Sequence, residues 1–166
     1  MTRQSTGRQQ RGRLSGIVRG KNVKDEINQL DAENERDVIA CFTLFKFLRP
    51  HLDERGFIEQ VREQAHEGYR IAYIQRDGEI IAACGYRVMT FLAWGKVLYI
   101  DDLITHPERK RSGMGSALLD WLLDRGKQLG CNEVHLDTGH QRHDAHRLYL
   151  NKGFVLSCHH MSVKIN

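Results

Sequence analysis

The sequence predicts one α/β domain (α+β under stricter definitions) with a mixed, mostly antiparallel sheet flanked by helices. Three observations carry this. Residues 69–75 and 80–90 are apolar, strand-like runs joined by Arg76-Asp77-Gly78-Glu79, whose Asp-Gly pair is a hairpin signal. Residues 97–105 alternate as a third strand, then lead through a Leu-rich helical pattern at 113–129 into a short alternating run at 132–137. A strand–helix–strand order of that kind favours parallel pairing of its two strands. The length, 166 residues, suits one domain with a substantial core, and there is no internal repeat.

In chain order, residues 1–22 hold six cations, four glycines and no carboxylate, and read as a basic, flexible arm. They lack the apolar stretch of a secretory signal, and the glycines disfavour an amphipathic transit helix. Residues 23–166 form the domain proper. Residues 23–30 start a strand, and residues 34–48 carry apolar side chains at mostly helical spacing up to Pro50. A second helix spans residues 53–67, with Phe57, Ile58, Val61 and Ala65 inward and Gly68 as its stop. After the three-strand meander, the helix at 113–129 turns Ala117, Leu118, Trp121 and Leu122 inward. Residues 144–152 make a short helix stopped by Gly153, and residues 154–165 supply one or two closing strands.

Composition excludes several classes. Hydrophobic residues make up 40% and charged residues 28%, a globular balance, and the formal charge is a modest +4. No apolar run approaches the ~20 residues of a membrane span, so no membrane partner is expected. Cys41, Cys84, Cys131 and Cys158 are far apart without a C-x-x-C, which points to free thiols in a reducing, cytoplasmic setting. His140, His143 and His146 recur every three residues, but Arg142 and Arg147 beside them disfavour a dication, so no metal is expected.

The stretch with most chemistry is YIDDLITHPERKRSGMGSALL at residues 99–119. Pro107 ends the strand, Arg109, Lys110 and Arg111 supply cations, and Ser112, Gly113, Met114, Gly115 and Ser116 open the helix. Backbone N–H groups freed by glycine at a helix N-terminus suit a phosphate. A tight turn with solvated cations would leave the same G-x-G, so the flanks matter. There is no Gly-Lys-Ser/Thr of a P-loop. A dinucleotide fingerprint places its glycines directly after the strand and a small residue where Leu118 stands; here Gly113 comes eight positions after Thr105. Asp137, its would-be ribose ligand, reads as a strand-end residue.

Two motifs in register carry a resemblance. Lys110-Arg111-Ser112-Gly113-Met114-Gly115, preceded by Leu103-Ile104-Thr105-His106-Pro107, resembles the acyl-CoA signature of the Gcn5-related N-acetyltransferases (GNAT), Gln/Arg-x-x-Gly-x-Gly/Ala after a strand. Residues 145–154, AHRLYLNKGF, resemble that family's Ala-x-x-Leu/Phe-Tyr-x-x-x-Gly-Phe helix. The departures are Lys110 for Gln or Arg, Thr105 for Val, and Arg142 where many members carry Asn.

The resemblance implies acetyl-CoA as cosubstrate and direct acetyl transfer to a primary amine, on a small molecule or a protein. Phosphates would sit on residues 110–116, and the pantetheine arm would run along Leu103, Ile104 and Thr105. Tyr149 would protonate the departing thiolate; a core tyrosine is the other reading of that position. Asp101, on the position of a Glu in diamine acetyltransferases, would be a base, an anchor for the acceptor ammonium, or a partner for backbone. Strand alternation puts Asp101 and Asp102 on opposite faces, so at most one is expected in the site. A homodimer is left open; the basic arm of residues 1–22 reads as a solvated tail, with contact to nucleic acid or an anionic surface as its alternative. A different class, a non-catalytic acyl-CoA sensor with a basic arm, also fits these residues; a nucleotide-dependent oxidoreductase fits them less well.

Overall fold

The computed structural model describes residues 26–109 and 112–165. The basic arm, the start of the first predicted strand, Lys110 and Arg111 lie outside the described residues. Five strands form one sheet in sequence order: β1 (Ile27–Gln29), β2 (Arg70–Arg76), β3 (Glu79–Phe91), β4 (Gly95–Thr105) and β5 (Glu133–Leu136). The first four pair antiparallel, and β5 pairs parallel to β4, as the intervening helix requires.

Helices cover both faces. On one face, α1 (Glu35–Phe45) and α2 (Glu54–His66) enclose a core of Val38, Cys41, Leu44, Phe45, Phe57 and Val61 with Ile71 and Tyr73 of β2. On the other, α3 (Met114–Gln128) packs Leu118, Leu119 and Leu122 on Ala72, Ile74, Leu98 and Ile100. The alternation of Ile71 and Tyr73 with Ala72 and Ile74 between the two cores is the period of two expected of a covered strand. α4 (His143–Asn151) follows β5 and lays Leu148 and Tyr149 against the α3 core. Asp53 caps α2, its carboxylate accepting from Gly56 N at 2.7 Å, a contact typically worth about 1 kcal/mol.

Two expectations are corrected. The first helix stops at Phe45, three residues short of the predicted end, and the chain continues in turns in which Leu48 N and Arg49 N both donate to Phe45 O. The predicted closing strands are absent among the described residues: 154–165 carry no strand, and Val155, Leu156, Met161, Val163 and Ile165 are exposed. Val155 and Leu156 are adjacent, which breaks the alternation a half-buried strand needs, and β5 offers an edge of only four residues.

Candidate active site

The pairing of β4 with β5 runs from Val97–Glu133 to Ile100–Leu136 and then ends, while β4 itself continues to Thr105. Beyond Ile100, β4 is therefore paired only on its β3 side, and a cavity of about 780 Å³ opens where the two strands part. It is lined by the end of α1, by α2, by β4 from Tyr99 to Leu103, by the loop after β5, and by Tyr149 of α4.

At the mouth of that gap β4 carries a bulge. Gly85 pairs with Asp102 and Tyr86 with Ile100, so Asp101 is an extra residue on β4. This corrects the expectation from simple alternation: both Asp101 and Asp102 line the cavity, because the bulge resets the period between them. Neither carboxylate is free. Asp102 accepts from Arg49, with Nη2 at 2.8 Å from Oδ1, and from Tyr69 Oη at 2.8 Å from Oδ2. Asp101 accepts from Arg87 Nε at 3.1 Å, and Arg87 also reaches Glu67 Oε2 at 3.6 Å. Burial pushes the Asp101 carboxyl above its ordinary range, with Arg87 pulling the other way. Burial and the neighbouring Asp102 hold the Tyr69 phenol well above its usual value, so it stays a donor. Tyr69 crosses directly over Gly85 to reach Asp102, since a Cβ there would lie 1.8 Å from Tyr69 Oη.

The opposite wall belongs to β5, its following loop and α4. Tyr149 borders the cavity while its ring packs on Phe154 at 5.8 Å, so the core position and the site position are the same one. Its hydroxyl has no hydrogen bond among the described residues, and burial raises its pKa, with Arg142 opposing. The Thr138 hydroxyl, also in this wall, is buried without a partner among the described residues. Asp137 accepts at Oδ2 from the Tyr99 hydroxyl and lies 3.0 Å from His160 Nδ1. The histidine series does not converge: His140 is in the loop, His143 starts α4, and His146 Nε2 bonds Gly139 O at 2.9 Å.

The phosphate-loop residues sit apart from this cavity, at the N-terminus of α3. Gly113 is the N-cap, in the left-handed region at φ 84°, and provides no side-chain cap. The first-turn N–H groups, on Met114, Gly115 and Ser116, thus remain for an external acceptor. Gly115 turns toward the protein: a Cβ there would meet Leu148 Cδ2 at 3.5 Å and Thr105 Cγ2 at 3.8 Å. Of the residues expected to run beside pantetheine, Leu103 lines the cavity and packs on the α3 core, whereas Ile104 packs into the α1–α2 core. The structure thus gathers Asp101, Leu103 and Tyr149 into one cavity and leaves Ser112 to Ser116 at a neighbouring helix end. Arg49, Tyr69, Gly85, Arg87 and His160 were not singled out from sequence. Arg87, a lone cation inside the apolar run 80–91, is the one the sequence could have flagged.

The site is thus a doubly covered mixed sheet that splits beside a bulged strand, with an uncapped helix N-terminus next to the split. The profile of the acetyltransferase (GNAT) family matches residues 29–154, and the chain belongs to that family. It is 30% identical over 132 residues to an uncharacterized N-acetyltransferase, YhdJ, of Bacillus subtilis, covering 78% of this chain and 93% of that protein. It is 31% identical over 90 residues to the aminoalkylphosphonate N-acetyltransferase of Salmonella typhimurium, covering 54% of this chain and 57% of that protein. Among solved structures, an aminoglycoside N-acetyltransferase in complex with CoA superposes with a TM-score of 0.72 at 15% identity, covering 84% of this chain and 93% of that one. The protein is an N-acetyltransferase of this family. Among the described residues no helix is long and apolar enough to cross a membrane.

Proposed function

We propose that this protein transfers the acetyl group of acetyl-CoA directly to a primary amine of a small molecule. The observation that carries the reading is the half-paired stretch of β4 beyond Ile100, which adjoins both the uncapped α3 N-terminus and the cavity. The unpaired edge of β4 is a template on which an extended amide-bearing arm adds like a strand. Leu103, Ile104 and Thr105 form that edge, and their backbone polarises the thioester carbonyl. The N–H groups of Gly113 to Ser116, with Lys110 and Arg111 adding charge, hold the phosphates. Tyr149, kept protonated by burial and unbonded at its hydroxyl, donates its proton to the leaving sulfur.

The acceptor is a small amine by two supports. The cavity is about 780 Å³ and walled on several sides, and one relative is named for acetylating aminoalkylphosphonates. Asp101, tied to Arg87, anchors the ammonium as it arrives. Residues 23–166 carry the chemistry and residues 1–22 are dispensable for it, so a chain beginning at Val23 keeps its turnover. The free cysteines fit a reducing, cytoplasmic setting.

The test is a panel of small primary amines with acetyl-CoA, reading released thiol. Turnover with a small amine is the expected result. Acetyl-CoA binding without thiol release for any amine identifies a sensor instead.

A further inference from the structure

Acetyl transfer needs the acceptor nitrogen unprotonated, and neither strand carboxylate is placed to make it so. Asp101 is engaged by Arg87, and Asp102 by Arg49 and Tyr69. A third acid–base group borders the same cavity. His160 lies 3.0 Å by Nδ1 from Asp137 Oδ2, and the same oxygen accepts from the Tyr99 hydroxyl. Burial and the bond to Asp137 hold the Tyr99 phenol above its usual range, so it remains a donor to Asp137. The 3.0 Å approach of Nδ1 to this carboxylate favours a proton on Nδ1, which leaves the lone pair on Nε2. Nε2 has no partner among the described residues, and the His160 side chain is 66% exposed on the cavity side of the chain's last segment.

Resting on the acetyl-transfer reading, we propose that His160 is the base for the acceptor amine, with Asp137 as its positioning residue. The Nε2 lone pair takes one proton from the ammonium, giving a neutral amine and an imidazolium, which passes the proton to solvent. The amine nitrogen then bonds to the thioester carbon as the carbon–sulfur bond breaks. The nitrogen's surplus proton goes to the sulfur by way of Tyr149, which gives its own proton and regains one. One proton reaches solvent, one reaches sulfur, and the amide and free thiol result. Imidazole suits the first step because its free ring nitrogen accepts a proton and the imidazolium can return it to solvent. Besides Asp137 in the loop after β5, the charged and titratable groups that line the cavity with His160 are Arg49 and His51 after α1, Tyr69 before β2, Tyr99, Asp101 and Asp102 on β4, His140 and Arg142 on the loop after β5, and Tyr149 on α4.

The experiment compares His160→Gln with the wild type across pH, using acetyl-CoA and the best small amine of the panel. The expected loss in turnover near neutral pH is on the order of 10²–10⁴-fold. It shrinks as pH approaches the pKa of the acceptor amine, which then arrives neutral, and acetyl-CoA affinity is unchanged throughout. In parallel, His160→Ala is tested with added imidazole, which is expected to restore turnover. Asp137→Asn is expected to show a smaller loss with the same pH trend. A loss of equal size at every pH, no rescue by imidazole, or full activity of His160→Gln overturns the assignment while the acetyl-transfer reading stands. A wild type that releases no thiol with any amine overturns that reading, and this assignment with it.

Discussion

Tyr69 reaches Asp102 by lying across Gly85: its hydroxyl is 2.8 Å from Asp102 Oδ2 and would be 1.8 Å from any Cβ at position 85. The bulge that exposes Asp101 begins at this same glycine, so strand irregularity, absent side chain and buried hydrogen bond are one arrangement. Arg87 lies over the Tyr69 ring at 5.4 Å and ties it to Asp101, so the two carboxylates are held as a unit.

Gly85→Ala is therefore expected to displace Tyr69 and destabilise the fold by about 1–3 kcal/mol, the usual cost of overpacking. Tyr69→Phe should cost about 1.5–3 kcal/mol, the range for a hydrogen bond to a charged group. Chemical denaturation midpoints check both. A Gly85→Ala protein as stable as wild type would mean that Tyr69 has another resting place.

Tyr149→Phe keeps the ring on Phe154 and removes only the hydroxyl. Turnover should fall by about 10²–10⁴-fold with acetyl-CoA affinity nearly unchanged. Single-turnover kinetics and calorimetry separate the two quantities. Full turnover where chemistry is rate-limiting returns Tyr149 to a packing role.

Asp101→Asn discriminates anchor from base. With Arg87 already on this carboxylate, the expected outcome is a raised KM for the amine with kcat within about tenfold and an unshifted pH profile. A collapsed kcat with an altered acidic limb would make Asp101 the base.

The two loop glycines should behave oppositely. Gly113 sits at φ 84°, so Gly113→Ala forces a left-handed alanine at a cost of about 1–2 kcal/mol and should weaken acetyl-CoA binding. Gly115 is inside α3 with ordinary van der Waals space for a methyl, so Gly115→Ala should be neutral or stabilising by up to about 1 kcal/mol. Thermal unfolding with and without acetyl-CoA reads both effects.

The buried thiols make a pH prediction. Burial pushes Cys41 and Cys84 from an ordinary 9.0 up to about 12. Each folded thiol holds its proton where the unfolded one has lost it, so the folded state binds more protons between about pH 9 and 12. Their contribution to stability is complete below that window and is lost as pH rises through it. In the native protein at pH 8, an alkylating reagent should modify the exposed Cys158 first and leave Cys41 and Cys84 intact. Rapid modification of all four thiols would contradict the burial.

Sequence by itself determined the elements that depend on local chemistry. The Asp77-Gly78 hairpin, the Gly68 stop of α2, the apolar face of α3 and the strand–helix–strand order around it follow from turn residues and periodicity. Those act over a few neighbouring residues and are written where they act. The two motifs around Gly113 and Tyr149 were legible for the same reason, each being a short continuous stretch. Only the tertiary structure decided what depends on distant partners. Asp102 receives Arg49 from 53 residues upstream, and Asp137 meets Tyr99 from 38 residues away. The bulge that brings Asp101 and Asp102 into one cavity arises from pairing with β3, where strand alternation alone separates them. The closing strands failed for the converse reason. A tail with only a short alternation becomes a strand only if an edge is there to pair with it, and β5 gives four residues of edge.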